Sequence, residues 1–182
     1  MDIPRDIRNG EEFSLEKLKK YLSENKISTE NLSLKQFPSG YSNLTYFLES
    51  SSKQFVLRRP PFGAKSLQGG HDMFREYNVL KNLKSQFSKV PDVFLYCEND
   101  DILGAPFYLM ERVEGYIIRP NLQQEDSPGK EVIQNVSKSL VSTLVELHNV
   151  DIDQANLNEL GNIKGYIKRQ VEGWIKRYNH SK

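Results

Sequence analysis

The chain has 182 residues, room for one domain or one and a half small ones. Hydrophobic residues make up 37% and charged residues 27%, so a packed core is expected rather than disorder. A formal net charge of +1 excludes a nucleic-acid binder that works through a large basic surface, and a lone cysteine, Cys97, excludes an intrachain disulfide or a cysteine-rich zinc site.

The opening MDIPRDIRNGEEF carries acids and lacks an apolar h-region, and no apolar run approaches the roughly 20 residues a membrane span needs. No secretory signal and no membrane association are expected, and a reducing, cytoplasmic setting is the simplest reading. Residues 14–25 place Leu15, Leu18, Tyr21 and Leu22 on one helical face, with Ser14 as a plausible N-cap. LSLKQF (32–37) alternates as a strand does, and Pro38, Ser39 and Gly40 break it. LTYFLES (44–50) and QFVLRR (54–59) form two more strands across the polar turn Ser50-Ser51-Ser52-Lys53, a hairpin pattern.

Two prolines and three glycines make 60–70 a loop. A helix over 71–87 follows, with Met73, Phe74, Tyr77, Leu80, Leu83 and Phe87 at helical spacing. VFLYC (93–97) and APFYLMERV (105–113) are strands around the turn Glu98-Asn99-Asp100-Asp101. The order strand, strand, strand, helix, strand, strand predicts an α+β unit, a five-stranded antiparallel sheet with one helix packed on it. Gly115 and the stretch 119–128 mark a compositional break. Beyond it, Pro128 suits the first turn of a helix capped by Ser127. That helix runs to about Asn149 and is expected to bury Val132, Val136, Leu140, Leu144 and Leu147. A last helix spans 163–178, with Ile163, Ile167, Val171, Trp174, Ile175 and Tyr178 on one face.

The stretches FPSGYSNLTYFLE, FVLRRPPFG, HDMFREYNVLKNL, GAPFYLMERVEG, LVELHNVD and GYIKRQVEGW, in this order, resemble the aminoglycoside phosphotransferases, a kinase-like family. The similarity is greatest to the phosphotransferase domains associated with acyl-CoA dehydrogenases. It implies an N-terminal helical extension (1–30), a protein-kinase-like, nucleotide-binding small lobe (31–115), and a hinge with the first helices of an incomplete large lobe (116–182). It also implies ATP as the nucleotide.

On that resemblance, Gly40, Tyr41, Ser42 and Asn43 stand where a hairpin tip covers phosphates, with Ser42 and Asn43 adding side-chain donors. An ordinary hairpin turn is the competing reading, since only one glycine is present. Phe55-Val56-Leu57-Arg58 has the form of the kinase strand that ends in lysine. Alternation puts Val56 and Arg58 on one face, Val56 to cover adenine and Arg58 to reach phosphates, while Arg59 faces away in a structural role. Glu76, on the following helix, is the expected partner of Arg58. His71 and Asp72 begin that helix, Asp72 favoured by the helix dipole. Met110 takes the gatekeeping position before the hinge, and Glu111, Arg112 and Val113 the backbone contacts to adenine.

Phosphoryl transfer needs a base and Mg²⁺ ligands that the family carries as His-x-Asp-x-x-x-x-Asn. No histidine here has aspartate two places on. His148-Asn149-Val150-Asp151, followed by Asn156, imitates the motif with one residue too many, and reads as a helix end. The expectation is therefore a truncated chain with no catalytic or metal-binding residue of its own, inactive alone, and with Mg²⁺ bound only by the complete domain. The intact protein is expected to phosphorylate a small hydroxyl-bearing molecule, with a hydroxylated acyl thioester suggested by the association. The alternatives are a non-catalytic nucleotide-binding or scaffold module, and a basic helix at 163–182 that binds a membrane or partner. Self-association through the 163–178 helix is a further expectation.

Overall fold

The structure, a computed structural model, describes residues 3–38, 42–63, 71–118, 128–161 and 164–180. Its centre is a five-stranded antiparallel sheet of β1 (Ser33–Gln36), β2 (Leu44–Glu49), β3 (Gln54–Arg59), β4 (Val93–Cys97) and β5 (Phe107–Glu111), in the order β1-β2-β3-β5-β4. The helices are α1 (Leu15–Glu24), α2 (Met73–Leu83), α3 (Asp100–Leu103), α4 (Lys130–His148) and α5 (Tyr166–His180). This is the predicted α+β architecture, with each predicted strand present.

Period-two alternation divides the sheet into two faces. One carries Leu44, Tyr46 and Leu48, Phe55 and Leu57, and Phe107 and Leu109, which form the main core with Leu18 and Leu22 of α1 and Leu103 of α3. Ser14 caps α1 by accepting from Lys17 N at 3.2 Å. Residues ahead of α1 are extended, not helical, and cover the β1 edge. Arg5 bridges Gln36, Arg8 N donates to Gln36 Oε1 (2.9 Å), and Tyr46 Oη donates to Glu11 O (2.7 Å). That strap buries Gln36, which would otherwise lie at an exposed sheet edge. Arg59, on the same face, is also fully buried, its Nε donating to Pro60 O and its guanidinium stacked 3.6 Å from the Phe62 ring.

The opposite face carries Phe47, Val56, Arg58, Tyr108 and Met110, and α2 covers its β4–β5 half. Tyr77 lies 5.7 Å from Tyr96 and 6.5 Å from Tyr108, ring centre to ring centre. Asp72 starts α2 as its N-cap, accepting from Arg75 N at 2.9 Å. The helix ends at Leu83 rather than Phe87, and just past its end Ser85 Oγ donates to Asn82 O (2.9 Å) while Gln86 N bonds Leu83 O in a tightened turn (3.0 Å). Phe87 is still buried, in a second cluster with Leu83, Ala155 and Leu157.

Three further expectations change. The expected turn Glu98–Asp101 leads into the single-turn helix α3, capped by Asn99 and closed by Gly104 in the left-handed region at φ 79°. At the start of α4, Gly129 is the N-cap with no side-chain hydrogen bond, and Pro128 lies outside the helix; Ser127 lies outside the described residues. Most consequentially, no residue of α4 is buried: Val132, Val136, Leu140, Leu144 and Leu147 are 37–68% exposed. The periodicity makes the helix amphipathic, but no described element lies over its apolar stripe. α5 is the same, and Ile163 lies outside the described residues.

Candidate functional site

The open face of the sheet is where the predicted residues meet. Arg58 lies in register with Thr45 on one side and Tyr108 on the other, and Val56 with Phe47 and Met110. One helical turn after the Asp72 cap, α2 delivers Glu76. Arg58 Nε stands 3.5 Å from Glu76 Oε2, an ion-pair distance beyond a good hydrogen bond, and Nε is buried with no hydrogen-bond partner among the described residues. The two side chains remain 31% and 33% exposed, so water screens their attraction and the pair adds little stability. Its value is geometric: it holds a permanent, planar cation at the mouth of a cleft.

The Glu76 carboxylate is held from two more sides. Asn43 Nδ2 donates to Oε1 (2.8 Å) and Tyr108 Oη donates to Oε2 (3.0 Å). Burial pushes the Tyr108 phenol well above its ordinary pKa; the Arg58 cation opposes this, and Glu76 adds to it. Tyr108 is therefore a hydrogen-bond donor throughout the physiological range. Asn43 Oδ1 in turn lies 2.7 Å from His71 Nδ1. In this structure the Asn43 side chain, expected to offer a donor to phosphates, is turned to Glu76 and His71. The amide is buried and both its ends are already bonded, because Glu76 supplies a closer acceptor on the same sheet face. Ser42 is exposed, and Gly40 and Tyr41 lie outside the described residues.

Two cavities lie along β3, one lined by Arg58 and the other by Val56. One of about 460 Å³ lies under α2, lined by Arg58, Asp72, Arg75, Glu76, Leu80 and Tyr108. The other, about 300 Å³, lies under the segment after β5, lined by Phe37, Val56, and residues 112–117. Met110 faces Val56 across the strands at the inner side of this region. Of the three positions expected to give backbone contacts to adenine, Glu111 has its N–H bonded to Asp92 O (2.8 Å). Its carboxylate accepts from Asp92 N (3.1 Å), closing a reciprocal clamp at the sheet edge. The Arg112 guanidinium sits 4.7 Å from the Phe47 ring and 3.1 Å from Glu114, and Val113 is exposed.

The imitation motif after α4 has a local function. Asp151 Oδ1 accepts from the N–H groups of Asp153 (2.9 Å) and Gln154 (3.0 Å), and Asn156, at φ 52°, offers its carbonyl to Asn82 Nδ2. Both residues build the turn that seats Ala155 and Leu157 against α2. Sequence reasoning missed Tyr108 and the Asn43 bond of His71. Alternation along β5 puts Tyr108 on the Met110 face, a signal that was available; the His71 contact spans 28 residues and left none.

The fold is that of a kinase-like phosphotransferase. Residues 33–182 match the phosphotransferase enzyme family, and the chain belongs to that family. The crystal structure of a candidate aminoglycoside phosphotransferase from Ralstonia eutropha superposes with a TM-score of 0.72 at 26% identity, over 94% of this chain and 49% of that one. Acyl-CoA dehydrogenase family member 11 of Rattus norvegicus is 38% identical over 189 residues, all of this chain and 24% of that protein. Family member 10 of Mus musculus is 36% identical over 83% of this chain and 14% of its own length. The probable acyl-CoA dehydrogenase IBR3 of Arabidopsis thaliana is 32% identical over 97% of this chain and 22% of its own. The chain thus spans about a quarter or less of these curated relatives.

Proposed function

We propose that this chain is the nucleotide-binding portion of an ATP-dependent phosphotransferase that acts on a small hydroxyl-bearing molecule. The observation that carries the reading is the Arg58–Glu76 pair, 3.5 Å apart, in the wall of the cavity under α2, with a second cavity lined by Val56 of the same strand. The residues suit an adenine nucleotide. Phe37, Val56, Val113, Tyr116 and Ile117 give apolar lining to a cavity of about 300 Å³, which Arg112 and Glu114 also line. Arg58 supplies a two-pronged cation for phosphate oxygens, and its buried Nε has no hydrogen-bond partner among the described residues.

The nucleotide would supply the phosphoryl group; this chain's residues bind and orient it. Val56 and Phe37 exclude water from the base. Arg58, steadied by Glu76, neutralises phosphate charge. The proton-accepting aspartate and the Mg²⁺ ligands are assigned to residues outside this chain, since the sequence contains no His-x-Asp-x-x-x-x-Asn. The names of the relatives favour an acceptor handled alongside acyl-CoA chemistry, and a hydroxylated acyl thioester fits that class.

A thermal-shift series with Mg-ATP tests the reading. Ligand at about 100 times its Kd adds roughly 2.7 kcal/mol of stability. The shift should appear in the wild type and in the remote variant Lys20→Ala, and be lost in Arg58→Ala. Absence of any shift in the wild type would defeat the proposal.

A further inference from the structure

We propose that Asn43 and His71 are positioning residues that hold the Glu76 carboxylate, and through it Arg58, in the phosphate-binding arrangement. The proposal rests on the nucleotide-binding reading above and goes a step behind the charged pair.

The hydrogen-bond directions follow from the chemistry of the groups. An ionised carboxylate only accepts, so the Asn43 atom facing Glu76 Oε1 at 2.8 Å is the NH₂ nitrogen. The other end of the amide is then the carbonyl oxygen, which also only accepts. His71 Nδ1, 2.7 Å from it, must therefore carry the hydrogen. That fixes a neutral His71 as the Nδ1–H tautomer and leaves Nε2 without its proton. The result is a directed chain, His71 Nδ1–H to Asn43 Oδ1, then Asn43 Nδ2–H to Glu76 Oε1.

The placement of the links gives the chain its purpose. Asn43 immediately precedes β2, and His71 immediately precedes the Asp72 cap of α2. The two bonds tie the start of a strand to the first turn of the helix that carries Glu76. Without them, Glu76 would keep one neutral donor, Tyr108, and the screened contact with Arg58. A carboxylate with only those partners can rotate towards water, because it is a third exposed. Asn43 itself is almost fully buried, so its amide is committed to this relay and to no solvent contact.

The experiment combines a tautomer signature with nucleotide affinity, on the full chain. ¹⁵N-edited NMR of the imidazole should show Nδ1–H for His71 in the wild type, reverting to the ordinary Nε2–H form in Asn43→Ala. In Mg-ATP titrations, His71→Ala and Asn43→Ala should each raise Kd about tenfold, the scale of one lost buried hydrogen bond. The double variant should be no worse than Asn43→Ala alone. His71→Gln, which keeps an N–H donor, should recover most of the affinity. Thermal melts without nucleotide accompany each variant; if Asn43→Ala does not fold, His71→Ala and His71→Gln, altered at a partly exposed residue, decide the matter. Wild-type binding with unchanged Kd in the variants would overturn the relay and leave the nucleotide reading standing. An Nε2–H tautomer in the wild type would overturn the relay as well. A wild type that binds no nucleotide would overturn both.

Discussion

Helix α1 and helix α4 carry the same kind of apolar stripe and meet opposite fates. Leu18 and Leu22 of α1 are fully buried against the sheet, whereas Leu140 and Leu144 of α4 are 68% and 48% exposed. Helical periodicity reports that a face is apolar; it does not report what covers that face. The sheet half of the molecule makes its own core, with Tyr46, Leu48, Leu57, Phe107 and Leu109 at or near zero exposure. Beyond the sheet, the described C-terminal residues that pack into a core are Ala155 and Leu157, with Val150 and Leu160 partly buried beside them, all behind α2 on Leu83 and Phe87. Stability therefore resides in the sheet and its two faces, and the candidate site sits on the stable half.

The sharpest way to break that comparison is a pair of truncations. Leu57→Ala in the sheet should cost about 2–5 kcal/mol in urea unfolding, the range for a fully buried leucine. Leu140→Ala on α4 should change stability by no more than about 0.5 kcal/mol, as at other exposed positions. Equal costs would mean that α4 is covered in solution. Next in size is Phe87→Ala, which opens the small cluster that joins α2 to the 150–160 segment. It should cost about 3 kcal/mol, at the low end for a buried phenylalanine because its cluster is small. Proteolysis should then cut preferentially within 150–160; unchanged cleavage would argue that this cluster does not hold the segment.

A smaller effect is expected at Tyr108→Phe, which deletes one donor to Glu76. The loss should be about 1 kcal/mol in chemical denaturation, the usual scale of one hydrogen bond. The smallest lies in the N-terminal strap. Burial raises the Glu11 pKa, but hydrogen bonds from Gln36 and Arg8 and the nearby cations outweigh it, so the folded value lies below the ordinary 4.5. A carboxyl with a depressed folded pKa stabilises the fold above its unfolded value, and that contribution is lost as pH falls through the folded one. Glu11→Gln should thus flatten the acid limb of stability below about pH 4.5 and leave the neutral plateau's shape unchanged. A steeper acid limb in the variant would reverse the sign of this assignment.

Much of the sheet was legible because alternation and turn chemistry are local. Val56 and Arg58 share a face, Arg59 faces the other way, and Glu76 arrives one turn into α2, all readable from period and spacing. What escaped is what long-range contacts decide. Nothing near Asn43 in the chain announces that its amide will turn inward to a glutamate 33 residues on. Nothing near Gln36 shows that Arg5 and Arg8 will cover it and make a polar residue part of the core edge. The stop of α2 at Leu83 escaped for a different reason: apolar spacing continues to Phe87, which stays buried although the chain leaves the helix as a tighter turn.

The most direct test is a double-mutant cycle in calorimetric Mg-ATP titration, using the wild type, Arg58→Ala, Glu76→Ala and the pair together. Saturable binding in the wild type should weaken about tenfold or more in each single variant, and the pair should lose little beyond Arg58→Ala, since Glu76 acts through Arg58. Full additivity, or affinity that survives Arg58→Ala, would contradict the claim that these two residues grip phosphate as one unit.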